Sequence, residues 1–443
     1  VNRLLWTLGL GVFAGALDLS VLSPALPAIG KLFGVQTGDL AWIFTLYLLV
    51  TVVSITLATT LADRYGRRPI YLLCIVLFAM GSVLAIGAPN YTIFLVARGI
   101  QALGAGGIFP VATAAIGDVV PAERRGAALG AIAATWGLAA IIGPTLGGLI
   151  THYFSWHYIF AANLPLAVVV FWFARDVVPA HAPRRRGQLD IVGLTLLCAG
   201  LLVLMDGLIQ SRIAGDVIGL GLLAWCAMWE RTARDALVPI ELLRTPQLLK
   251  TYTLEIVVGM LEGSLFFIPT VLVGALGMSY AAAGLVAALG ALTFVIVIPL
   301  SGRALDRVGS RDVLLVGTIL CEVGLAAFAL GFQALPIALL SIIVAGAGFG
   351  ALLGAPTRYI VTNEMPERSR ATAVGLLSQA LIVGQLLGSA LAGGVMSASN
   401  SEIDGYRHAY LVFAAIAFVA VTLAALLAPR VTERTRPLEG AVA

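Results

Sequence analysis

Apolar runs of about 20 residues, parted by short polar segments, recur along the whole chain. They fall at 5–28, 39–61, 70–88, 91–113, 127–149, 158–175, 191–209, 213–229, 251–275, 281–301, 312–331, 335–357, 371–396 and 408–428. A helix rising 1.5 Å per residue needs about 20 apolar residues to cross roughly 30 Å of hydrocarbon. Each run is therefore predicted as a spanning α-helix, and the fold class as an all-α polytopic membrane protein. The first run contains Asp18, lacks an A-x-A site and is followed by many similar runs. It reads as a span and not as a signal peptide.

The polar segments test this count. Taken alternately, they place 23 of the 27 basic residues on one side of the membrane. Lys31, Arg212 and Arg407 fall on the other side, and Arg98 lies within a span. Basic residues collect on the cytoplasmic side, so both termini are predicted inside. Trp6, Trp156, Trp172 and Trp229 lie near predicted interfaces, where tryptophan is enriched.

Two halves repeat. Asp63-Arg64-Tyr65-Gly66-Arg67-Arg68 after span 2 and Asp306-Arg307-Val308-Gly309-Ser310-Arg311 after span 10 share D-R-x-G-x-R at an offset of 243. Pro121, Arg125 and Gly130 reappear as Pro366, Arg370 and Gly375 at an offset of 245, and Gly143 and Gly148 as Gly388 and Gly393. The chain thus reads as two six-helix halves (1–180 and 247–430), a linker carrying an inserted helix pair (181–246) and a cytoplasmic tail (431–443). Parallel six-helix repeats enclosing a midplane cavity are a transporter architecture.

Composition narrows the class further. The 443 residues are 60% hydrophobic and 11% charged, against about 25% charged in soluble domains. No basic tract interleaves with aromatics, which excludes a nucleic-acid partner. Cys74, Cys198, Cys226 and Cys321 sit in apolar runs without CxxC spacing and read as packing residues. His152 and His157 lack a metal-ligand spacing. No HExxH, GxSxG, Walker loop or Cys/His cluster occurs, so neither an enzyme nor an ATP-driven pump is expected, and no cofactor or metal.

Ionisable residues inside spans are costly, about 2.5–3.5 kcal/mol each on insertion scales, and mark function. Asp18 lies 13 residues into span 1 and Arg98 seven residues into span 4 from the opposite side. At 1.5 Å per residue these are depths of roughly 20 and 10 Å, which lets the two pair. Such a pair either fixes helix packing or loads and unloads a proton when it rearranges. Glu262, in the middle of span 9, suits a cationic lipophilic substrate or a second proton, and Glu322 of span 11 is similar. Glu255 and Asp206 read as interfacial. Trp42, Gln101, Trp136 and Phe266 are the candidate cavity lining. Gln101, with Asn163, Gln379 and Gln385, serves equally as helix-to-helix glue.

These motifs resemble the major facilitator superfamily, in particular its fourteen-helix drug:proton antiporter branch. Asp63 to Arg68 resembles the signature after helix 2, with Thr59 at a usual Gly. Arg98-Gly-Ile-Gln101-Ala-Leu-Gly104 resembles that of helix 4, with Ala102 at a usual Gly. Gly143-Pro144-Thr-Leu-Gly147-Gly148 resembles the helix 5 antiport signature, with Ala139 at an upstream Gly. Asp18 with Ala25-Leu26-Pro27, and Trp156 to Phe160 with Asn163-Leu-Pro165, resemble branch motifs of helices 1 and 6.

The resemblance implies a monomeric exporter in a bacterial cytoplasmic membrane, exchanging protons for amphipathic, lipophilic and preferentially cationic molecules, or, as an alternative, for lipids or siderophores. It implies that Asp63, Arg64, Gly66, Arg67, Arg68, Asp306 and Arg307 form a conformational latch. Gly143, Pro144, Gly147 and Gly148 would shape an antiport seam. Asp18, Arg98, Glu262 and Glu322 would couple protons.

Overall fold

The computed structural model describes residues 2–178, 180, 190–233, 245–366 and 369–429. Much of the expected linker (181–189 and 234–244) and the tail 431–443 lie outside these residues. Fourteen membrane-length helices are present: α1 (Asn2–Phe33), α2 (Ala41–Tyr65), α3 (Arg67–Ile86), α4 (Tyr91–Val119), α5 (Arg124–Tyr153), α6 (His157–Val177), α7 (Ile191–Gln210), α8 (Ile213–Glu230), α9 (Pro246–Leu276), α10 (Tyr280–Val308), α11 (Ser310–Gly331), α12 (Leu335–Glu364), α13 (Thr372–Ser397) and α14 (Glu402–Ala425). Among the described residues there is no strand. In hydrocarbon only helices and closed barrels satisfy every backbone polar group, so this chain takes the helical solution throughout.

The helices outrun the apolar stretches that announce them. α4 continues to Val119 and α10 to Val308, because a helix goes on satisfying its own backbone after its side chains turn polar. The expected loop after span 2 is consequently one residue long. α2 ends at Tyr65, Gly66 turns the chain at φ 101°, and α3 starts at Arg67. Gly309 makes the same turn at φ 95° between α10 and α11. Positive φ is open to glycine and strained for other residues, which accounts for the shared glycine of the two D-R-x-G-x-R segments.

Three helices break at prolines, which lack the amide proton and disfavour a helical residue before them. α1 passes through a 3-10 turn at Ser23–Ala25 before Leu26–Phe33. α9 pauses at Phe266 and Phe267 before the segment Ile268–Leu276. α12 pauses after Leu352 and resumes as Pro356–Glu364.

Internal contacts divide the chain into two units, Val1–Leu237 with Met278–Ala288, and Val238–Gly277 with Leu289–Ala443. α7 and α8 therefore group with α1–α6, as do the first turns of α10. The first unit is built on Leu8, Val12, Tyr71, Phe78, Ile108 and Val111. In the second, Leu248, Tyr252, Val361, Met365 and Leu377 pack together where α9 meets α12 and α13. Trp6 and Trp172 are exposed as belt residues should be, but Trp156 is not. It is buried among Phe33, Phe94 and Phe160, so it packs the first unit instead of facing lipid.

Candidate functional site

Within the first unit, α1 brings Asp18 against α4. Arg98 donates from Nη1 to Asp18 Oδ2 at 2.6 Å, and neither side chain is accessible. Asp18 Oδ1 accepts from Gln101 Nε2 at 2.7 Å and from Asn163 Nδ2 of α6 at 2.8 Å. Gln101 Oε1 accepts a second bond from Arg98 Nη1 at 2.5 Å, and its amide also donates to Ser82 Oγ of α3 at 2.9 Å. The Tyr47 ring of α2 covers the guanidinium with its centroid 4.1 Å from Cζ. Arg98 Nε and Nη2 have no hydrogen-bond partner among the described residues; a cation over an aromatic face is stabilised by about 2 kcal/mol when desolvated.

Five helices therefore meet at one ion pair. A buried pair is better held when its remaining polar atoms are bonded; here Gln101 and Asn163 do this for the carboxylate, and Ser82 accepts from Gln101 in turn. Gln101 is wholly buried and its amide is spent on this cluster, which removes it from the expected cavity lining. The helices come close enough through small residues. A Cβ on Gly81 would collide with the Gln101 backbone, and one on Gly104 with that of α3. Tyr47 and Ser82 were not singled out by sequence. The only signal for Ser82 is its place beside Gly81 in this small-residue crossing.

In the second unit, Glu262 of α9 accepts from Gln385 Nε2 of α13 at 2.8 Å. No salt bridge reaches it among the described residues. The internal repeat gives this carboxylate a counterpart: an offset of 244 carries Asp18 onto Glu262 and Ser20 onto Ser264. An offset of 245 carries Pro24, at the break in α1, onto Pro269 at the break in α9. Each unit thus places a carboxylate just before the proline break of its leading helix. At the same offset of 244 Arg98 falls on Ile342, so the arginine has no counterpart.

Glu322 on α11 is half-buried and makes no bond to Glu262. Glu255, expected at the interface, is instead 5% exposed, with Oε2 unpartnered. Asp206 is half-buried and lies 3.7 Å from Arg212.

The other expected cavity residues do not gather at these carboxylates. Trp42 is the second residue of α2, at the helix end far from Gly66. Trp136 packs edge-on against Phe109, centroids 6.4 Å apart, both partly exposed. Phe266 lies at the break in α9. A separate apolar groove of about 270 Å³ runs between α11 and α12, lined by Val323, Ala327, Ile337, Leu340 and Val344 among others, and contains none of the four.

At the Gly66 turn, Arg67 bonds Asp63 at 2.5 Å and Asp118 of α4 at 3.2 Å. Arg68 Nε donates to the Val178 carbonyl at 2.6 Å, and Arg64 lies over the Tyr65 ring. Asp118 is a partner that sequence reading overlooked. Asp306 and Arg307 are exposed beside Gly309. On α5, a Cβ at Gly143 or Gly147 would strike Ser20 or the Val21 carbonyl of α1, and one at Gly148 would strike the start of α10. Ser20 Oγ donates to the Ala139 carbonyl at 3.0 Å. Pro144 lies inside this helix. The glycine ladder is thus a line of backbone contact. Among the described residues no cluster could hold a metal ion.

Fourteen membrane-length helices, with a buried ion pair inside the first unit, fit a multi-pass membrane protein of the transporter class. The family model described as Major Facilitator Superfamily matches residues 8–272 and 251–442. The chain is 34% identical over 421 residues to the uncharacterized MFS-type transporter YfiU of Bacillus subtilis, covering 90% of this chain and 81% of that one. It is 29% identical over 406 residues to the multidrug resistance protein Stp of Mycobacterium tuberculosis, covering 88% and 75%. A crystal structure of a D-xylose-proton symporter shares the fold at a TM-score of 0.76 and 16% identity, over 98% of this chain and 99% of that one. The chain belongs to the major facilitator superfamily, and it is a transporter.

Proposed function

We propose that this transporter is a proton-coupled antiporter that exports lipophilic, preferentially cationic small molecules by alternating access. The observation that carries the reading is the pair of corresponding carboxylates, Asp18 bonded to Arg98 and Glu262 without a cation. Asp18 is balanced by a charge it can lose when the helices shift, and a carboxylate parted from its cation in a low dielectric takes up a proton. Glu262 presents a negative charge that a cationic substrate and a second proton neutralise in turn. The partly exposed Phe109 and Trp136 faces offer aromatic surface to a lipophilic cation. Relatives bearing multidrug resistance names support the substrate class.

In this reading two six-helix halves exchange access, with Asp63, Arg67 and Asp118 holding one state and the α5 glycine ladder keeping the helices in sliding contact. In this reading the basic segments and both ends of the chain face the cytoplasm of a bacterium, as the distribution of basic residues favours. The protein works as a monomer, draws its energy from the proton gradient and needs no cofactor. Glu322, half-buried on α11, is a further carboxylate able to exchange protons.

Purified protein in liposomes, given an imposed pH gradient, tests this. Ethidium should accumulate on the acidic side, and an ionophore that collapses the gradient should abolish accumulation. Gradient-independent movement of ethidium would overturn the coupling.

A further inference from the structure

Glu255 takes no part in the proposed exchange so far, yet its surroundings are those of a functional carboxylate. It precedes Glu262 by seven residues on α9, which is two turns, roughly 10.5 Å along one helix face. It is almost fully buried, and its Oε2 has no partner. Thr357 and Arg358 of α12 are its polar and charged neighbours. These two residues open the segment Pro356–Glu364 after the break in α12. The unbonded amides of a helix N-terminus stabilise a nearby anion. Glu255 is therefore an anion site at a broken helix, with one oxygen left free.

The charged neighbours are few. Glu262 shares its helix and Arg358 comes from α12. α13 has no charged residue between Thr372 and Ser397, and those of α14 (Glu402, Asp404, Arg407 and His408) lie in its first two turns. The Leu426 carbonyl, just beyond the last turn of α14, is bonded by Lys250 near the start of α9, so those first turns are at the far end from Glu255. Thr357 is buried and its chain neighbour Arg358 is exposed.

We propose that Glu255 is the proton-release station of the second unit, receiving through water the proton that Glu262 gives up and passing it to the cytoplasmic side. This rests on the proton-coupled reading above. In the step, the O–H bond of the Glu262 carboxyl breaks and one forms on the free oxygen of Glu255. The proton then leaves Glu255 for water, and Arg358, Thr357 and the helix N-terminus stabilise the carboxylate left behind. In this proposal Glu255 handles the proton and not the substrate, so exchange of substrate should not require it.

The test compares wild type with E255Q in liposomes by two assays on ethidium. One is accumulation driven by a pH gradient; the other is counterflow at equal pH, which needs no net proton movement. E255Q should keep counterflow within about twofold of wild type and lose at least fivefold in gradient-driven accumulation, with E255D restoring it. Should E255Q fold poorly, R358Q alters an exposed residue and serves instead. It should raise the cytoplasmic pH needed for half-maximal gradient-driven transport. Gradient-driven accumulation at the wild-type rate in E255Q, or an unmoved pH profile in R358Q, overturns the proposal. So does a folded E255Q that loses counterflow, since Glu255 would then act in substrate binding or packing. A wild type that ignores the gradient would overturn the antiport reading itself, and this inference with it.

Discussion

Arg98 and Asp18 lie 2.6 Å apart, both inaccessible to solvent, at the crossing of α1 and α4. The carboxylate accepts two further bonds from Gln101 and Asn163, so its charge is balanced and its lone pairs are occupied. Removing one partner of such a pair leaves an uncompensated buried charge. Arg98→Ala should therefore destabilise the first unit by about 3–5 kcal/mol. Arg98→Ala combined with Asp18→Asn should recover most of that loss in thermal melts in detergent. A double variant no more stable than the single one would mean that Arg98 contributes packing and not charge.

Gly147 lies where the α1 backbone touches α5, whereas Gly130, nearly five turns earlier on the same helix, has open space around its Cβ position. Gly147→Ala should cost about 1–3 kcal/mol through overpacking and slow transport. Gly130→Ala should be neutral or slightly stabilising, because alanine favours helix over glycine by about 1 kcal/mol. Melting temperatures of the two variants decide the matter.

The two glycine turns should behave alike. Gly66 and Gly309 both have positive φ, so Gly66→Ala and Gly309→Ala should each destabilise by more than about 1 kcal/mol. The Gly66 variant should be the worse for transport, because Arg67 beside it ties Asp63 to Asp118. Equal loss of activity in both would place the latch in the turns and not in the ion pairs.

Glu262 should decide substrate charge. Glu262→Gln should lower the affinity for a lipophilic cation at least tenfold, corresponding to about 1.4 kcal/mol. A neutral lipophilic substrate should be affected less than threefold. Inhibition of ethidium transport by competitors of matched size and different charge measures this. Equal loss for both classes would make Glu262 a coupling group alone.

Much of this was legible in the sequence, for physical reasons that differ by residue. The spans were legible because a bilayer requires about 20 apolar residues in a row, and the Asp18 and Arg98 depths because helix rise is constant. What depends on which face a helix presents was not. Ser82 and Tyr47 look like ordinary residues of α3 and α2 until the small-residue crossing at Gly81 and Gly104 brings the helices together. Glu255 was misplaced because distance from a helix end says nothing about burial. Its polar neighbours Thr357 and Arg358 follow the break at Pro356, and a linear scan places those residues in another helix.

Trp156 erred the same way. Its position near a span end fits an aromatic belt, but the ring turns inward onto Phe94 and Phe160. Gln101 was open between cavity and glue, and only its bonds to Asp18 and Ser82 decide it.

The central claim is that Asp18 couples proton movement to export, and Asp18→Asn tests it most directly. Asparagine keeps the size of the side chain and abolishes its charge and its proton. In liposomes bearing a pH gradient, the account predicts that D18N retains ethidium counterflow at equal pH and loses gradient-driven accumulation. Gradient-driven accumulation by D18N at the wild-type rate would contradict it, leaving the Asp18–Arg98 pair as a packing element and moving the coupling to another carboxylate.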